Sequence, residues 1–149
     1  MTVHSLASMK GQDVVAVDTA EGLGSVKHFV VSPGADRIER LHIDGRKKNA
    51  IFAEWGDLES FGADRVMVST AASTHEAETD RDVDAAKGDI DLLGSRILDT
   101  AGFEHGEVAD AQFESDTGRI VSITSSDGAV ISAENVHSLG SYALVVSAG

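Results

Sequence analysis

The sequence contains no cysteine. That absence removes disulfides, thiolate metal sites and cysteine nucleophiles together, and it accords with a reducing compartment. Proline is nearly absent too, with one residue against 15 glycines, which suits a turn-rich β protein. Aromatic residues make up 5% of the chain, and Trp55 is its single tryptophan. No apolar run approaches the roughly 20 residues that span a bilayer, so membrane insertion is not expected. Met1 to Lys10 lacks a charged segment leading into an apolar one, so no signal peptide is read there. Basic residues are scarce, 12 against 25 acidic ones, for a formal net charge of −13. A field of that sign repels phosphate backbones and anionic headgroups, and nucleic acid is therefore not an expected partner. The one basic cluster, Arg46-Lys47-Lys48, reads as a solvated turn. The expectation is a cytoplasmic protein.

What the sequence does contain is a duplication, with Met9–Ser69 repeated as Leu92–Ser147. Gly11 and Gly94 open short strands, Asp13–Val17 and Arg96–Asp99. Acidic turns ending at Gly22 and Gly102 follow. Gly24-Ser-Val26 and Gly106-Glu-Val108 then lead into Lys27–Val31 and Ala109–Phe113. Arg37-Ile38 and Arg119-Ile120 start the third strands. Asp44-Gly45 and Asp127-Gly128 turn into the fourth, Ala50–Ala53 and Ala129–Ile131. Leu58-Glu-Ser60-Phe-Gly62 matches Val136-His-Ser138-Leu-Gly140, and Arg65–Ser69 and Ala143–Ser147 close the copies. The gaps in the alignment all fall at expected turns, where length changes are tolerated.

Short Val- and Ile-rich runs separated by Gly, Asp, Asn and Ser turns argue for antiparallel barrels or sandwiches. Glu54–Phe61 and Ala133–Leu139 each suit one helical or 3₁₀ turn. Between the copies, Ala71–Lys87 carries five acidic residues and almost no apolar anchor, and reads as a linker. A short helix through Thr74–Asp84 fits there, with Glu76 and Glu78 near its N-terminal end. The expected architecture is all-β: two tandem small antiparallel β-barrels joined by an acidic linker, divided as 1–70, 71–87 and 88–149. Units of about 60 residues sit near the lower limit of independent stability, so they are expected to pack on each other or on another chain.

The strand-opening glycines, the Gly-x-Val steps, the Arg-Ile strands and the closing Ser60–Val68 and Ser138–Val146 segments resemble the PRC-barrel domain. The resemblance covers both copies. It implies a barrel of about six strands with no catalytic constellation to carry over, and a role in contacting other macromolecules. The ribosome maturation factor and the photosynthetic reaction centre H subunit are members of that family. This chain shows neither the extra N-terminal domain of the first nor the transmembrane helix of the second, so only the general role transfers.

Catalytic and metal candidates are weak. His4, His28, His42, His75, His105 and His137 show no paired spacing of the H-E-x-x-H kind and read as solvent-facing. Asp80-x-Asp82-x-Asp84 has a calcium-loop rhythm, but Ala85 and Asp91 stand where an EF-hand needs Gly and Glu, so it reads as solvated linker charge. No nucleophile elbow or phosphate loop occurs, and the Gly22 and Gly24 pair reads as a turn. Glu54 and Asp57 could share one face of a turn, without an expected cleft. Phe29, Phe52, Phe61, Phe103 and Phe113 read as core. Trp55, opposite Ala133 in the second copy, is either an exposed interface anchor or a cover for the barrel end or the seam.

The function expected is a non-enzymatic protein-binding or scaffolding module. Its partner would be another protein or a second copy, and neither cofactor nor metal is required. The alternative is a regulatory protein that binds a small molecule or metal ion at the seam between the barrels.

Overall fold

The computed structural model describes residues 3–45, 51–61 and 64–148. The chain runs β1 (Val3–Ser5), α1 (Leu6–Met9), β2 (Asp13–Ala16), β3 (Gly22–Val31), β4 (Ile38–Asp44), β5 (Ile51–Glu54), β6 (Leu58–Phe61) and β7 (Arg65–Val68). It continues through α2 (Asp80–Lys87), β8 (Arg96–Asp99), β9 (Glu104–Glu114), β10 (Ile120–Ser125), β11 (Val130–Ser132), β12 (Val136–Leu139) and β13 (Leu144–Val146). 3₁₀ turns at Trp55–Asp57 and Ala133–Asn135 occupy matching places before β6 and β12.

The protein is mostly β, and its two sheets have one wiring. The first runs β5-β4-β3-β2-β7-β6 and the second β11-β10-β9-β8-β13-β12. Matching hydrogen bonds confirm the duplication atom by atom. Gly11 and Gly94 donate to the Val26 and Val108 carbonyls, and Ser69 and Ser147 donate to those of Asp57 and Asn135. Two features depart from the sequence-based expectation. The pairs β2–β7 and β8–β13 are parallel, not antiparallel. Apolar–polar alternation decides which face of a strand is buried and leaves its direction relative to a distant partner open. The ladders also run as open paths, with no hydrogen bonds joining β5 to β6 or β11 to β12 among the described residues.

The halves share one core. Phe29, Leu41 and Ala53 from the first sheet pack in the same buried cluster as Ile97, Phe113 and Ile123 from the second. Across the seam Arg37, itself exposed, bridges Arg119, its own counterpart in the duplicate. Ile38 N–H donates to the Gly118 carbonyl at 2.8 Å, and Ile120 N–H donates to the Asp36 carbonyl at 2.9 Å. Each residue meets its duplicate's neighbour reciprocally, which is the signature of a two-fold isologous contact built inside one chain. The segments that precede the copies are exchanged in the same sense. β1 pairs with β9, and α2 packs on β3.

Gly118 sits where the seam is tightest, at φ +75°, and a Cβ there would lie 2.9 Å from the Ile38 carbonyl and 3.0 Å from the Trp55 ring. Gly102 has a similar φ of +92° with open space around it. Gly118→Ala is expected to cost about 3 kcal/mol, combining backbone strain with overpacking, and Gly102→Ala about 1 kcal/mol. Urea unfolding midpoints check this; equal losses would remove the close approach from the account.

Candidate functional site

The outer face of the first sheet carries the densest polar chemistry among the described residues, and the linker covers it. Cross-strand register sets His28 against His42 and His42 against Phe52. The rings form a stack: His28 and His42 lie 5.4 Å apart and 3° from parallel, His42 and Phe52 5.3 Å apart, and Phe52 and His75 6.1 Å apart. Val30 and Phe52 are fully buried against Ala85 of α2. That face mixes an apolar patch under the lid with paired charges and stacked rings, whereas the matching face of the second sheet is polar, with Ser122 and Thr124 both donating to Gln112.

Polar contacts fix the lid. Arg40 donates to Asp82 at 2.7 Å and to Glu54 at 3.1 Å, and Asp82 is fully buried. Asp82 also accepts from the N–H groups of Glu78 and Thr79, and the Thr79 side chain accepts from Asp82 N–H, which forms a capping box. A buried pair of this kind adds little net stability, but losing one partner typically costs about 3–5 kcal/mol, so it fixes position strongly. Arg81 donates to the Val31 carbonyl at 2.7 Å, to that of Ser32 at 3.3 Å and to that of Leu139 at 2.9 Å, tying α2 to both halves. His28 Nδ1 lies 3.1 Å from Asp91, and His75 Nε2 lies 3.1 Å from Glu54.

These findings correct two expectations. The linker is not simply solvated charge, because Asp82 is an interior residue and α2 starts at Asp80 under a Thr79 cap instead of spanning Thr74–Asp84. Nor are the histidines uniformly solvent-facing: His42 is 5% exposed, and the His28 side chain is 14% exposed. Each sits on a different element, so spacing along the chain carried no sign of the cluster. The Thr79-x-x-Asp82 capping box was the one readable signal for the helix start.

Trp55 is 7% exposed, so it is not an exposed anchor. It fills the seam, with Nε1 donating to the Ser115 carbonyl at 3.2 Å and its ring edge-on to Phe113 at 5.3 Å. Phe29, Phe52 and Phe113 are core, while Phe103 is 67% exposed, at a hairpin turn with nothing packed over it. His105 lies 2.7 Å from Asp99, whose carboxyl is held low by that contact and by the Phe103 and Ala101 N–H groups. His137 bonds Ser147, and His4 stacks on Phe113. Gly22 and Gly24 lie in β3 with no phosphate-cradling turn. Glu54 is engaged by Arg40 and His75, and Asp57 closes a 3₁₀ turn, so the two do not form a carboxylate pair. The Arg46–Lys48 cluster lies outside the described residues.

Among the described residues no three His, Asp or Glu side chains converge as a metal-binding set. The seam carries a polar cleft of about 380 Å³ lined by His4, Leu58, Glu59, Ser60, Ser115 and Asp116. No described helix is long and apolar enough to cross a membrane.

The structure is thus a duplicated small sheet with a parallel closing strand, braced by its own duplicate. The family model of the PRC-barrel domain matches residues 1–75, and the chain belongs to that family. No curated protein matches it.

The stacked histidines give the lid a pH dependence of both signs. Burial pushes the His42 imidazole down, helped by His28 and Lys27 and opposed by Asp44. Burial also pulls on His75, but the Glu76 carbonyl, Glu54 and Glu78 outweigh it and raise its pKa. The His42 contribution is therefore present above the ordinary value of 6.5 and is lost as pH falls through its lower folded value. The His75 contribution is complete below 6.5 and is lost as pH rises through its higher folded value. Urea midpoints taken from about pH 7.5 down to about pH 5 should show His42→Phe gaining on the wild type and His75→Gln falling further behind. A gap that does not change with pH would contradict the corresponding assignment.

Proposed function

We propose that the chain is a non-enzymatic PRC-barrel protein of the cytoplasm that binds another protein, as a scaffold or an assembly component. In this reading the six-stranded first sheet and the second, whose matching six strands carry β1 as a seventh, are each a small barrel of the family's type, curled around its share of the common core. The observation that carries the reading is the unequal treatment of two equivalent faces. One is sealed by the chain's own linker through Arg40, Asp82 and Arg81, whereas on the other Gln112, Ser122 and Thr124 stay half-buried, with β1 and α1 reaching Asp110 at its side. Sealing one face and sparing its duplicate leaves a single side of the molecule for a partner. The buried His42 stack lies under the lid, where a substrate has no approach, and His105 and Asp99 pair at an exposed hairpin. Neither arrangement supplies a nucleophile with an oriented base.

Affinity capture from the native host, with the recovered proteins identified and quantified by mass spectrometry, tests the proposal. A reproducible protein partner at fixed stoichiometry is expected. A chain that recovers no partner, while its melting temperature rises with one metabolite or ion, would instead establish the ligand-binding alternative.

A further inference from the structure

The second sheet ends on an edge that the first sheet has closed. In the first half the linker lays an extended residue along β5. Phe52 N–H donates to the His75 carbonyl at 2.7 Å, and His75 N–H donates to the Phe52 carbonyl at 3.0 Å. β11 is the duplicate of β5. Its register, Thr124 opposite Val130, repeats that of His42 opposite Phe52. Val130 thus holds the place of Phe52 and directs its N–H and carbonyl away from β10, because these groups alternate sides along an antiparallel strand. Among the described residues nothing pairs with this edge, and Val130 is 68% exposed.

A cleft of about 410 Å³ runs beside the edge, lined by His105, Asp127, Val130, Ile131, Asn135 and Val146 among others. Its floor is largely aliphatic. Asp127 and His105 are the ionisable groups that line it, and His105 is turned to Asp99. The Asp127 carboxyl is held below the usual carboxylate range by the Ser125 hydroxyl and the Ala129 N–H, so it stays charged at the rim. No lysine or arginine lines the cleft. The edge is short, three residues of β11, but it is open and partly apolar, and its unpaired backbone groups can template another strand.

We propose that the β11 edge is the docking surface for an extended segment of a partner protein. The segment alternates apolar and basic residues, pairs its backbone with Val130, sets its apolar side chains in the cleft and brings a basic one to Asp127. The internal precedent argues for an extended backbone, since the equivalent edge already holds one. Charge argues for a basic partner over a second copy, because edge-to-edge pairing would bring together two chains of net charge −13. The inference rests on the reading of the chain as a protein-binding module, and it names the surface.

The test uses two acetylated heptapeptides, one alternating lysine and valine and the other glutamate and valine, with amide chemical shifts mapping the site on the full chain. The lysine–valine peptide is expected to bind, with shifts centred on Ala129–Ser132 and Val146–Ala148, and the glutamate–valine peptide is not. Val130→Pro removes the outward donor and leaves the ladder to β10 intact, so binding should weaken about tenfold or more. Val130→Lys keeps the backbone donor and sets a like charge against the peptide, so it should weaken binding as well. The surface is wrong if the lysine–valine peptide fails to bind, shifts residues elsewhere or ignores both variants. It is also wrong if the wild type forms a dimer that Val130→Pro abolishes, since the occupant would then be a second copy. Capture with Val130→Pro separates this inference from the broader one. A partner retained by the variant removes the edge and leaves the protein-binding role standing, whereas no partner on the wild type removes the role.

Discussion

Ile38 donates to the Gly118 carbonyl and Ile120 donates to the Asp36 carbonyl, so the Arg37 position is held against its own duplicate. Most of the architecture follows from this reciprocal contact. A sheet of about 60 residues buries too little surface to be secure alone, and here each sheet finishes its core against the other. Gly118 lets the backbones approach, and Trp55 closes the space beside them through the Ser115 carbonyl and the Phe113 edge. The contact has the geometry of a two-fold dimer. Within a single chain, however, it no longer depends on protein concentration, and the two halves are free to differ in sequence.

They differ on their outer faces. In the first half His28, Val30, Arg40, His42, Phe52 and Glu54 lie under the linker, and the fully buried Asp82 anchors α2 to Arg40. The second half keeps Gln112, Ser122 and Thr124 on the equivalent face, bonded among themselves, and leaves the outer edge of β11 unpaired among the described residues. A symmetric scaffold thus carries an asymmetric surface. The lid also decides what that face can hold: Val30 and Phe52 pack on Ala85, and Arg40 is paired with Asp82 and Glu54.

Much of the fold was legible in the sequence. The strands, the duplicated order and the 3₁₀ turns at Trp55 and Ala133 were readable because glycines, Asp-Gly turns and apolar alternation are local signals. The parallel β2–β7 and β8–β13 pairs were not, because direction between distant strands leaves no mark on alternation. The linker was misread for a related reason. Its acidic composition describes a solvated segment, and Asp82 is interior only because Arg40 waits on a strand far away in sequence. The histidine cluster escaped notice likewise, since His28, His42 and His75 meet across separate elements with no motif spacing. The contrast with Ala133 left Trp55 open as an exposed anchor, a cover for the barrel end or a filler of the seam, and its burial against Phe113 and the Ser115 carbonyl selects the seam.

The claim that the halves are one cooperative body is tested most directly by native-state hydrogen exchange in increasing urea. The amides of Phe29 in the first sheet, Ile123 in the second, and Ile38 and Ile120 at the seam would be followed together. The account predicts that all four converge on a single opening free energy with a common urea dependence. Exchange of Ile123 through a separate, lower-energy opening, while Phe29 stays protected, would show two independent units and contradict it.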